Sequence, residues 1–169
     1  MKNHFLTFGL LTKIDHLAIT QSLEIICQAV RGGVTHVQLR EKDSDPYTIK
    51  ATAVMLQKLL HPYRIPLIIN DFAEIATEVN ADGVHLGSQD MAPEEARKIL
   101  GPNKIIGLSI ESLDELHAAN QNQALDYVTA SAIYPSKNKP NCKTLWGLAG
   151  LSMLARLSKK PLTAIGGIT

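Results

Sequence analysis

The chain has 169 residues, 45% hydrophobic and 20% charged, a composition that fits one soluble globular domain over residues 1–169. A net charge of +1 excludes a global electrostatic footprint for nucleic acid or membrane, and 5% aromatic residues exclude a base-stacking platform. No basic-then-apolar leader opens the chain and no apolar run approaches a membrane span of roughly eighteen residues. Cys27 and Cys142 lie far apart, so a reducing cytoplasmic setting is expected, with Cys27 a buried thiol and Cys142 an exposed one.

Residues 1–14 are apolar without a clear period and read as a lead-in segment. His16–Thr20 reads as a short strand. Leu23, Ile26, Cys27 and Val30 then recur at helical spacing up to Arg31, where Gly32-Gly33 ends the helix. Thr35–Leu39 is a second strand. A helix over Pro46–Leu60 follows, its proline in a first turn where a missing amide hydrogen costs little.

Leu67–Ile69 is a third strand, Ala73–Val79 a short helix and Gly83–Leu86 a fourth strand. Pro93–Leu100 opens with Glu94 and Glu95, acidic groups that favour a helix N-terminus. Ile105–Leu108 is strand five, and Ser112 with Glu115 makes a capping box for a helix to Asn120. Asp126–Ala130 is strand six. A polar, lysine-rich stretch without period runs over Ile133–Leu145, followed by a helix over Leu148–Leu157 and a last strand at Leu162–Ile165.

Seven strands alternating with six helices predict an α/β fold with a parallel sheet. A (β/α)8 TIM barrel is the leading architecture, with its eighth βα unit absent from the chain; a doubly wound open sheet is second. A seven-stranded remainder of such a barrel would leave two exposed parallel edges.

In such folds functional groups gather at the carboxyl ends of the strands. Gln38, Arg40 and Lys42 end the second strand, Asn70 and Asp71 the third, and Ser109 the fifth. Gln89 and Asp90 follow the fourth strand, Ser136, Lys137, Asn138 and Lys139 the sixth, and Gly166 and Gly167 the seventh.

Asp71 and Asp90, from adjacent strand ends, suit a hard divalent cation such as magnesium, which takes one or two protein carboxylates and keeps other positions for water and phosphate. Each could instead cap a helix, at Phe72 or Pro93. Arg40, Lys42 and Lys139 can meet a diphosphate, the first through a planar fork and the lysines as point charges. Lys137 reads as a solvated surface lysine. Glu41 should point away and pair with its neighbours, and His85 reads as a packed core histidine.

The segments Gln38–Lys42, Ile69–Asp71, Ala81–Gly87 with Asp90-Met91, Ile106–Ser109, Asp126-Tyr127, Ile133–Pro135 and Ala164–Ile168, in this order and at these intervals, resemble the thiamine phosphate synthase family. The similarity runs from about Leu17 to the last residue and is shared in part with a sister group of thiazole tautomerases.

The resemblance implies a (β/α)8 barrel and a magnesium-dependent transferase joining an aminopyrimidine diphosphate to a thiazole phosphate. It implies that Gln38 and Asn70 address the pyrimidine substrate and its diphosphate, that Arg40, Lys42 and Lys139 bind the diphosphate, and that Asp71 and Asp90 hold Mg2+. Ser109 and Ser136 would hydrogen-bond the leaving group, with Asn138 on the same loop, and Gly167 would offer backbone to the thiazole phosphate. Of these, Lys139, Arg40 and Ser109 are the catalytic candidates.

Partners are then small molecules, with no nucleic acid or membrane, and a homo-oligomer is open. The family's Gly-x-Gly-Pro run is Thr129-Ala-Ser-Ala132 in this chain, and its Thr-x-Thr-Lys-Lys pattern is Ser136-Lys-Asn-Lys139-Pro140. Ala132 stands where the tautomerases carry histidine, which favours the synthase. The alternatives are a metal-free isomerase of the tautomerase type and a binding protein that no longer turns its ligand over.

Overall fold

The computed structural model describes residues 4–14, 16–136 and 142–168. Seven strands alternate with six helices: β1 Gly9–Thr12, α1 Ile19–Arg31, β2 His36–Leu39, α2 Pro46–Leu60, β3 Leu67–Asn70, α3 Ala73–Glu78, β4 Gly83–Leu86, α4 Pro93–Leu100, β5 Ile105–Ile110, α5 Leu113–Gln121, β6 Tyr127–Ser131, α6 Gly147–Leu157 and β7 Leu162–Ile165. All neighbouring strands pair in parallel, in the order β1-β2-β3-β4-β5-β6-β7. A strictly sequential order has no reversal point, so the doubly wound alternative is excluded.

One expectation about the strands fails. His16–Thr20 is not a strand; the first strand is Gly9–Thr12, inside the presumed lead-in, and Ile19 already belongs to α1. The strand is held by pairing rather than by its own pattern. Gly9 through Thr12 align with His36 through Leu39, and the Thr35 hydroxyl donates to the Phe8 carbonyl oxygen at 3.0 Å. Both cysteines are half-buried and unpaired, neither fully buried nor fully exposed.

Local chemistry sets the helix starts. Asp45 accepts from the Thr48 amide at 3.1 Å ahead of Pro46, and Ser112 accepts from the Glu115 amide at 3.1 Å, caps worth about 1 kcal/mol each. The return bond of the expected capping box is displaced by one residue, because the Glu115 carboxylate accepts from the Glu111 amide at 2.6 Å.

Strand alternation separates two environments. Val37, Leu39, Leu67, Ile69, Val84, Leu86, Ile106, Val128 and Ala130 join Leu56, Leu60, Ala96, Leu116 and Leu154 of the helices in one apolar core. The intervening residues, Gln38, Ile68, Asn70, His85, Ser109, Tyr127 and Thr129, share the opposite face by register. That face is concave. Phe5 stands edge-on to His36 of β2 at 6.2 Å and to Tyr127 of β6 at 6.1 Å, so strands four apart in order approach one another across it.

Its lower part is filled by alternating small and large residues. A side chain at Gly9 would collide with the His36 ring, and one at Gly107 would fall 2.5 Å from the Tyr127 phenol oxygen. The upper part, at the carboxyl ends of the strands, is polar. Among the described residues no helix is long and apolar enough to cross a membrane.

Candidate active site

The residues that end β2, β3 and β4 meet as one cluster. Gln38, on β2 and 4% exposed, donates from Nε2 to Asn70 Oδ1 at 2.9 Å. The other half of the Asn70 amide, Nδ2, is buried with no hydrogen-bond partner among the described residues. A buried N–H left without an acceptor costs on the order of 1–3 kcal/mol, so a donor in this position calls for an acceptor from water or from a ligand.

Asp71 follows with φ at 68°, in the left-handed region, its amide donating to the His85 carbonyl oxygen at 2.9 Å. That turn directs its carboxylate to Lys42 Nζ at 2.7 Å and brings it beside the Asp90 carboxyl. Asp90 is held from its other side by the Gly87 amide, which donates to Oδ2 at 2.6 Å. Neither aspartate caps a helix: the residues preceding α3 and α4 are Phe72 and Ala92, and no side chain bonds either helix start. The capping alternative is thereby removed for both.

Burial first, and then the hydrogen bond to Asp90, push the Asp71 carboxyl up to about 6, against the opposing pull of Lys42. Burial and a second carboxyl close by both disfavour the charged form of Asp71. The sign of the linkage follows. Between pH 4 and 6 the folded chain binds more protons at Asp71 than the unfolded chain, so the contribution of this group to stability falls as pH rises through that window and levels off above it. The thermal midpoint of the metal-free protein, taken relative to that of Asp71→Asn, should decline from pH 4 to 6 and then remain flat. A difference independent of pH would show that the Asp71 carboxyl is not raised in the folded chain.

The same pair offers paired hard oxygens beside a cation. Among the described residues no third carboxylate, imidazole or thiol joins them. Such a set fits a divalent ion that completes its shell with water and phosphate oxygens.

Arg40 is half-buried and fixed through its backbone, its amide donating to the Thr12 carbonyl oxygen at 2.8 Å. Glu41 points away from the mouth, as expected, and is 3% exposed. It accepts from the Ile14 amide at 2.6 Å and from Ser44 Oγ at 2.9 Å, tying the loops after β1 and β2 together and so holding Arg40 and Lys42 at their edge.

Ser109 lies on the concave face of β5, its Oγ 2.9 Å from His85 Nε2. His85 is packed, as expected, yet it also reaches a site residue; the register joining β4 to β5 is what brings the two together. Gly166 and Gly167 have φ of 98° and 65°, and a side chain at either would strike Ala132 or Tyr134, so both are fixed by packing against the chain after β6. Ser136 is half-buried in that stretch. Lys137, Asn138 and Lys139 lie outside the described residues. A groove lined by Met91, Leu108 and Ala118 between α4 and α5 shares Asp90 with the cluster and none of Gln38, Asn70 or Ser109.

A sequential parallel α/β sheet whose carboxyl edge gathers two carboxylates, two cations and buried amide donors defines a class of enzyme that handles a phosphorylated small molecule. The model of the thiamine monophosphate synthase family matches residues 11–169, and the chain belongs to that family. It is 38% identical over 168 residues to the thiamine-phosphate synthase of Chlamydia abortus, an alignment covering 99% of this chain and 79% of that one. It is 46% identical over 144 residues to the thiamine-phosphate synthase of Vibrio parahaemolyticus, covering 85% and 70%. The solved thiamine phosphate pyrophosphorylase from Pyrococcus furiosus superposes with a TM-score of 0.86 at 31% identity, over 100% of this chain and 79% of that one.

Proposed function

We infer that this chain is a transferase of the thiamine phosphate synthase type, magnesium-dependent, that joins an aminopyrimidine diphosphate to a thiazole phosphate with release of pyrophosphate. The observation that carries the reading is the Lys42, Asp71 and Asp90 cluster beside the unpartnered Asn70 amide. In the family to which the chain belongs, that is where a metal-bound diphosphate is expected.

In the reaction the bond from the pyrimidine methylene to the diphosphate oxygen breaks, and a bond from that carbon to the thiazole nitrogen forms. The electron pair leaves with the diphosphate, and the attacking nitrogen carries no proton to remove. The protein therefore needs to bind, orient and stabilise charge rather than supply a base. Arg40, Lys42 and Lys139 meet the anionic oxygens, and the Asn70 Nδ2 donor finds there the acceptor it lacks. Gln38 is positioned for the pyrimidine by its bond to Asn70, and Ser109 and Ser136 donate to the leaving group. Gly167 lends backbone to the thiazole phosphate.

Asp71 and Asp90 would hold Mg2+, whose charge offsets that of the departing diphosphate. The sequential sheet fits the wall of a (β/α)8 barrel, and the substrates and fold are in keeping with a cytoplasmic enzyme. Incubation with both substrates and magnesium should release one pyrophosphate per thiamine phosphate, and chelator should stop it. Release of none, or isomerisation of the thiazole that persists in chelator, would overturn the reading.

A further inference from the structure

Three side chains cross the concave face in one hydrogen-bonded line. Tyr127 Oη of β6 lies 2.9 Å from His85 Nδ1 of β4, and His85 Nε2 lies 2.9 Å from Ser109 Oγ of β5. We propose that Tyr127 and His85 are positioning residues that set the direction of the Ser109 hydroxyl. The phenol fixes the histidine proton on Nε2, Ser109 accepts that proton's hydrogen bond, and its own O–H is left to donate into the mouth. This rests on the reading above, in which Ser109 touches the leaving diphosphate.

The direction follows from counting donors. Tyr127 is 2% exposed, and burial together with the nearby Asp126 raises its phenol, so it keeps its proton. A buried O–H must find an acceptor, and among the described residues the hydrogen-bond partner of Tyr127 Oη is His85 Nδ1. Nδ1 is then the acceptor of a neutral imidazole, and the ring proton sits on Nε2.

Nε2–H donates to Ser109 Oγ, which uses a lone pair of the serine and leaves its hydrogen to rotate elsewhere. The opposite order, with Nδ1–H donating to the phenol, would strand the phenol proton in the core and turn Ser109 into a donor toward the histidine.

The packing holds the line in place. Phe5 stands edge-on to Tyr127 at 6.1 Å, the His85 ring lies 5.5 Å from the Tyr127 ring at a tilt of 35°, and Gly107 leaves the space that the phenol occupies. A donor fixed in advance toward developing negative charge is worth more than one that must reorient during the step.

Two measurements test this. In two-bond 1H–15N spectra of the substrate-free full chain, His85 should show a bare Nδ1 and a protonated Nε2, and Tyr127→Phe should mix the two tautomers. In turnover, Tyr127→Phe should lower kcat about tenfold with KM for the pyrimidine unchanged, and should cause no further loss in a Ser109→Ala background. His85→Gln, which keeps an N–H near the Nε2 position, should retain more kcat than His85→Ala.

Protonation of Nδ1 in the wild type would overturn the proposal, as would a Tyr127→Phe loss of the same size with and without the Ser109 hydroxyl. The nitrogen spectra need neither substrate nor a variant, so they decide the direction of the line even if turnover fails and the functional reading falls.

Discussion

Asp71→Asn is expected to lower turnover by at least about 100-fold while leaving the fold intact, a loss of the size seen when a fixed electrostatic partner of a charged transition state is removed. Asparagine is the informative substitution because residue 71 has φ of 68°, a conformation that asparagine tolerates and alanine strains. The side chain keeps its shape and one oxygen and loses only its charge. Asp90 would then stand alone against Lys42, too few hard anionic ligands to hold a divalent ion beside a diphosphate. Steady-state pyrophosphate release with thermal unfolding as control checks this. Undiminished turnover in a folded Asp71→Asn protein would remove the carboxylate pair from the mechanism.

The largest effect on stability should come from Gly107→Ala. The added methyl would fall 2.5 Å from the Tyr127 phenol oxygen and nearer still to the ring, which has little room to retreat because Phe5 packs edge-on against it and His85 anchors its hydroxyl. Overpacking at a closed site costs about 3 kcal/mol, which for a chain of this size lowers the thermal midpoint by roughly 6–12 °C. Tyr127→Phe should not rescue the variant, since the ring carbons remain, whereas Tyr127→Leu should recover part of the loss. A midpoint within about 2 °C of wild type would mean that the lower part of the concave face is loosely packed.

Much of the fold was legible because local chemistry and tertiary need coincide. Pro46 and Pro93 begin their helices where first-turn proline is tolerated, and Gly83–Leu86 and Leu162–Ile165 are strands at the expected bounds. The first strand was not legible. Leu10 and Leu11 sit in an apolar run with no period, and the polar partner that gives Glu41 its buried position, the Ile14 amide, belongs to a residue 27 positions away.

The grouping of residues at the strand ends could be read from position alone: Gln38, Asn70, Asp71 and Asp90 do gather. What spacing could not show is register. His85, Ser109 and Tyr127 are separated by 24 and 42 residues along their hydrogen-bonded line, and they meet only because β4, β5 and β6 align as they do. A period-two reading of those three strands, placing His85, Ser109 and Tyr127 on one face with Asn70, is the signal that would have grouped them.

The central claim, that the mouth bounded by Lys42, Asp71 and Asp90 is a metal-assisted diphosphate site, is tested most directly by calorimetric titration of the full chain with inorganic pyrophosphate. Binding should require magnesium, should weaken at least about tenfold in Arg40→Ala, and should vanish in Asp71→Asn. Pyrophosphate that binds equally well in chelator, or equally well to Asp71→Asn, would contradict it.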